Sequence, residues 1–146
     1  MTPARRRPSG PVTVLLAVGG VLLVAAVVLG LLDARASARA DDRADAVGVA
    51  RAHLVDLGAA SSDPAAQARA AGSATGPWRD RVAARPSVPT STVVRAVGLE
   101  SLEDDDARVL AVGLVAGGTV PRSFRAAVTL TRVDGRWLVA DVTEVP

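Results

Sequence analysis

The chain has 146 residues, 49% of them apolar, with two tryptophans, one phenylalanine, no Cys, no Tyr and a single histidine, and all 17 basic residues are arginines. Without Cys there is no disulfide framework, thiolate chemistry or thiolate metal site, and one imidazole excludes zinc sites built on several. The formal charge of +2 comes from a short tail: Arg5, Arg6 and Arg7 precede a remainder that carries 14 Arg against 15 acids from Asp33 onward. A nucleic-acid binder carries its positive charge as a patch on the domain, interleaved with stacking groups, and no segment here has that pattern.

Residues 1–11 form the basic tail. Residues 12–32 follow without a charge; 17 of these 21 are Ala, Val or Leu, the others being Thr13, Gly19, Gly20 and Gly30. At about 1.5 Å per residue the stretch spans about 30 Å, the hydrocarbon thickness of a bilayer. A core helix of this length would need a polar face. A secretory signal is the rival reading, with Ala38-Arg39-Ala40 resembling a cleavage site, but signal cores run about 7–15 residues. The expectation is an uncleaved transmembrane helix. Arg35, Arg39 and Arg43 beyond it nearly balance Arg5–Arg7 before it, so orientation rests on the clustering of charge at the N-terminus and on the ease with which long C-terminal domains translocate. That places the N-terminus in the cytoplasm and residues 33–146 outside the cell membrane.

Residues 33–60 read as a helix continuing from the anchor, with Ala36, Ala40, Ala44, Val47, Ala50, Leu54 and Leu57 as its buried stripe. Arg35, Arg39 and Arg43 form an i, i+4 row, with Asp41, Asp42 and Asp45 nearby. This is either a solvated face or, because it starts within a turn of the membrane, a contact for anionic headgroups. Asp63 as N-cap and Pro64 at the first helical position open a short helix over 64–71. Residues 72–76 break it, Pro77 opens a third short helix over 78–84, and Pro86 and Pro89 close that.

Strands then follow over 91–102, 108–116, 123–132 and 137–145. Residues 103–106 form an acidic turn and Gly117-Gly118 a second connection. The strand at 108–116 is apolar on both faces, as in a covered central strand. Phe124, Ala126, Val128 and Leu130 share one face of the third strand. Asp134-Gly135 turns the last hairpin. A three-residue loop with a bulge at Gly135 would set Leu130 opposite Leu138 and Val128 opposite Ala140; a two-residue loop would set Val128 opposite Asp141, a carboxylate on the apolar face, so the first register is expected. The order predicts an α+β unit: helices over about 33–86, packed on one face of a four-stranded antiparallel sheet over about 90–145.

Candidate chemistry is sparse. His53 lies at the edge of the apolar stripe, where it would serve as a base only if it reached a pocket, and no carboxylate shares its register. Glu103-Asp104-Asp105-Asp106 lacks the alternating oxygen ligands and glycine of a calcium loop and reads as a solvated turn. No phosphate-cradling glycine motif is present. The expectation is no catalytic, cofactor-binding or metal residue and no cofactor.

The basic tail, the anchor, the Ala/Arg/Asp-rich helix, the element Thr75-Gly76-Pro77-Trp78-Arg79 and the ending Arg132-Val133-Asp134-Gly135-Arg136-Trp137-Leu138 together resemble the Mce-associated membrane proteins, accessory subunits of mammalian-cell-entry lipid transporters. The resemblance covers essentially the whole chain. It implies a nuclear transport factor 2-like cone outside the membrane and a non-catalytic role as an accessory or scaffold of a lipid importer, for sterols or fatty acids. It also implies that Trp78 and Trp137 plug the cone and pack its sheet. Enzymes on that fold use an Asp or His base, sometimes with a Tyr donor, and Tyr is missing here. Two other classes stay open: a bitopic assembly subunit of a secretion system, and a small pocket-bearing lipid-binding protein or enzyme. Partners would be the membrane and transporter subunits, and two copies would pair only modestly through an outer sheet face carrying Arg125, Thr129, Thr131 and Asp141.

Overall fold

A computed structural model describes residues 10–85, 91–116 and 120–146, with side chains from residue 26 onward. The basic tail up to residue 9, Pro86, Pro89, Gly117 and Gly118 lie outside the described residues. Three helices precede four strands: α1 Gly10–Ala59, α2 Pro64–Gly72, α3 Gly76–Ala83, β1 Ser91–Leu102, β2 Asp106–Ala116, β3 Arg122–Val133 and β4 Arg136–Glu144. The chain divides into two compact units, Met1–Ala40 and Asp41–Pro146. Among the described residues no helix is long and apolar enough to cross a membrane; residues 12–25 of the expected anchor lie outside the described side chains.

The second unit is the expected α+β arrangement, an antiparallel sheet of order β1-β2-β3-β4. Its core joins Ala46, Ala50 and Leu54 of α1 and Trp78 and Val82 of α3 to Val109, Val128, Leu130, Trp137 and Val139 of the sheet. The start of α2 follows the residues that favour it. Asp63 sits in extended conformation and its carboxylate accepts the Ala65 N–H at 2.8 Å, with Pro64 at the first turn. Asp63→Ala should therefore lower unfolding stability by about 1 kcal/mol in urea titrations, and an unchanged midpoint would contradict the cap.

The burial pattern of α1 departs from expectation in its middle. Ala36, Ala40 and Ala44 are exposed; of the expected stripe Ala50 and Leu54 are buried and Val47 and Leu57 half-buried, and Ala46, His53 and Gly58 are buried with them. An alanine-rich helix offers small apolar side chains on every side, so alanine spacing alone does not mark the covered face. Strand β2 is also covered on one face only: its residues alternate exposed and buried from Asp106 to Gly113, and Leu110 and Val112 stay 42% and 41% exposed. The outer face is polar on β3, where Arg125 and Thr129 are exposed, but apolar where Val93, Leu110 and Val112 lie.

The last hairpin takes the register that sequence reasoning rejects. Val133 pairs with Arg136 across a two-residue turn, with Asp134 at φ 51° and Gly135 at φ 76°, the left-handed pair of a type I′ turn. Leu130 then faces Val139. The expected burial of Asp141 against Val128 is avoided by a bulge farther along: the register shifts between Thr129 and Leu130, leaving Ala140 unpaired and setting Val128 opposite Val142. Asp141 pairs with Thr129 on the other face. Two further shifts, between Val94 and Ala96 and between Leu99 and Ser101, lie on β1, and bulges of this kind increase local bend and twist.

The segment between α2 and α3 is more than a break. Val139 donates its N–H to the Ser73 carbonyl at 2.9 Å and accepts from the Thr75 N–H at 2.9 Å, so residues 73–75 lie parallel to β4 and occupy part of its free edge. This also explains the Thr-Gly-Pro-Trp element. Thr75 is tied to β4, Gly76 turns the chain with φ 55°, a conformation that glycine adopts at little cost, and Pro77 presets the first helical turn. Trp78 is thereby delivered into the core from the start of α3.

Candidate functional site

Two features of the second unit have the chemistry to act as a site: a buried polar chain through the only histidine, and a cavity beside it.

His53 is fully buried on α1. The Trp78 indole N–H donates to its Nε2 at 2.9 Å, and its Nδ1 lies 2.9 Å from the Ser73 hydroxyl. Ser73 in turn donates to the Ala70 carbonyl at 3.1 Å. An indole nitrogen only donates, so Nε2 must carry the lone pair and Nδ1 the proton. Every donor in the chain Trp78–His53–Ser73–Ala70 then has one acceptor. Burial is the main force holding the ring neutral, and it lowers the His53 pKa to about 4; the nearby Asp56 carboxylate and the Ala70 carbonyl oppose the shift, and the positive charge of Arg85 adds to it. Both nitrogens of His53 are thus committed to protein partners. It is a structural post joining α1, the 73–75 segment and α3, and it does not line the cavity.

The cavity, of about 610 Å³, opens between the helices and one end of the sheet. Leu54, Leu57, Trp78, Phe124, Val115 and Val142 give it an apolar wall, and Arg85, Arg125 and Glu144 belong to its lining as well. Gln67 is held at its side by donating to the Val82, Ala83 and Arg85 carbonyls at 3.1–3.2 Å. These bonds fasten the end of α3 to α2 and fix the backbone that presents Arg85. Sequence reasoning singled out Trp78 and the Phe124 face but passed over Gln67 in α2, Arg85 after α3 and Glu144 at the end of β4; a single polar residue carries no periodic signal.

The two tryptophans are built alike. The Arg81 guanidinium lies 4.8 Å above the Trp78 ring and bonds Asp141 at 2.6 Å. The Arg132 guanidinium lies 4.5 Å above Trp137 and bonds Asp42 at 2.7 Å. Each stack ties an indole to a carboxylate on another element: β4 in the first, α1 in the second. Asp42 is therefore part of a clasp on the last hairpin, where the sequence suggested a solvated row. Trp137 Nε1 and Arg132 Nε are buried without a hydrogen-bond partner among the described residues. Asp141 titrates below the usual carboxylate range: burial pushes it up, but bonds from the Thr143 hydroxyl and the Arg81 guanidinium outweigh that.

The remaining candidates stay apart from the cavity. Arg35, Arg39 and Arg43 are exposed on α1. The side chains of Glu103, Asp104, Asp105 and Asp106 are exposed in a tight turn, where the Glu103 N–H reaches the Asp106 carbonyl and the Asp105 carbonyl accepts from the Arg132 N–H. Among the described residues no three His, Asp or Glu side chains come together to hold a metal.

No family model matches the chain, and no match is found among curated proteins.

Proposed function

We propose that the protein is a membrane-anchored, non-catalytic accessory subunit of an Mce-type lipid importer, with the 12–32 segment as its anchor and residues 33–146 as an extracytoplasmic, nuclear transport factor 2-like domain that acts through protein contacts. The α+β order of three helices and a bulged four-stranded antiparallel sheet supports that fold. The observation that carries the non-catalytic reading is the state of His53: the single imidazole is sealed in the core with both nitrogens bonded, and its low pKa leaves it neutral at physiological pH. A general base must reach the proton it takes.

Chemical crosslinking and co-purification of the full chain from native membranes tests the reading. It should recover substrate-binding subunits of a lipid transporter; recovery of secretion or conjugation ATPases instead would favour an assembly subunit of a secretion system. Protease added to intact cells with a permeable outer envelope should degrade the C-terminal domain. A domain untouched before lysis and degraded after it would reverse the orientation.

A further inference from the structure

We propose that the cavity binds a single-chain amphiphile with an anionic head, its tail among Leu54, Leu57, Trp78 and Phe124 and its carboxylate on Arg85. The inference does not depend on membership of a transporter. It rests on three properties of the cavity itself.

Size comes first. A volume of about 610 Å³ falls within the range of small-molecule sites, about 300–1,000 Å³. The composition of the wall then restricts the occupant. Leucine, valine and aromatic side chains from α1, α3, β2, β3 and β4 converge on it, and the one indole N–H available is already spent on His53. Ser61 and Thr92 add hydroxyls to the lining, but the larger part of the wall is apolar, which suits an alkyl chain.

The third property is the placement of charge. Arg85 follows α3, and its backbone is pinned by Gln67 and by an N–H bond to the Val82 carbonyl at 3.3 Å. Its guanidinium has no hydrogen-bond or ion-pair partner among the described residues, so its donors are available to a ligand in the cavity. Arg125 borders the cavity from a strand position whose side chain belongs to the outer face, so Arg85 and Glu144 are the charged side chains left to the lining. A planar guanidinium matches a carboxylate in a two-bond fork, which favours an acid over an alcohol of equal chain length.

The test uses the full chain carrying Trp137→Phe, exchanged from detergent into an amphipathic polymer. The chain has two tryptophans, so Trp78, in the cavity wall, becomes the sole emitter. Dibromostearate should quench it saturably, and plain stearate should compete. Arg85→Ala should weaken binding about tenfold. Ala60→Phe, which adds a ring at the cavity lip, should abolish saturation while leaving the far-ultraviolet dichroism intact. Three results would each overturn the proposal: quenching that never saturates and is equal in Ala60→Phe, binding unaffected by Arg85→Ala, or a brominated stearyl alcohol that binds as tightly as the acid.

Discussion

Replacing Trp78 by alanine should remove about 3–5 kcal/mol of stability, a large fraction of the about 5–15 kcal/mol that native domains possess. Two losses combine. The indole is 9% exposed and packs in the central cluster, so its removal leaves a cavity that surrounding Ala and Val side chains are too short to fill. His53 also loses the donor at Nε2, and a buried acceptor without a partner costs about 1–3 kcal/mol. Trp78→Phe separates the terms, since it keeps most of the packing and removes only the hydrogen bond. Unfolding of the full chain in urea, followed by Trp137 emission, should place Trp78→Phe between wild type and Trp78→Ala. A loss under about 1 kcal/mol for the alanine variant would mean that the indole is not a core group.

Much of this architecture is written locally in the sequence. Asp63-Pro64 starts α2, Thr75-Gly76-Pro77 turns into α3, and Asp134-Gly135 turns the last hairpin, because each sets backbone angles or satisfies N–H groups within a few residues. The alternation of Phe124, Ala126, Val128 and Leu130 correctly identified the covered face of β3. Features that depend on distant partners were not legible. His53 receives its partners from 20 and 25 residues away, and nothing in its own helix register announces a serine or an indole. The stripe over Ala36, Ala40 and Ala44 failed because alanine does not discriminate faces.

The hairpin register lies between these cases. The inward residues of β4 run Trp137, Val139, then Val142, a spacing of two followed by three. That break in alternation marks a bulge, which reconciles a two-residue turn with an outward Asp141. Placing the irregularity at Gly135 assigned it to the turn because glycine is there. The side-chain pattern assigns it to Ala140.

Acid should destabilise the domain through His53 before it does so through the carboxylates. The ring titrates at about 4 in the folded protein and near 6.5 when exposed, so between these values the unfolded chain binds the extra proton. Stability is therefore complete above about pH 6.5 and falls as pH drops, by about 3 kcal/mol on reaching pH 4. The structural cause is specific: protonation puts a hydrogen on Nε2, which then points at the Trp78 N–H, donor against donor. Asp141 works in the same direction but in another window. Its carboxyl is lowered from 3.8, so its contribution is lost only below that value. The two groups can thus be separated by pH alone. Urea unfolding at pH 7, 5.5 and 4.5 should show stability declining in the wild type, while His53→Gln, less stable at pH 7, should vary little over the same interval. The single histidine also gives one imidazole resonance pair in magnetic resonance spectra, and its midpoint should lie near 4 in the folded chain. A midpoint above 6, with wild type and His53→Gln sharing one pH slope, would show that the ring is solvated and that the Trp78–His53–Ser73 chain does not form.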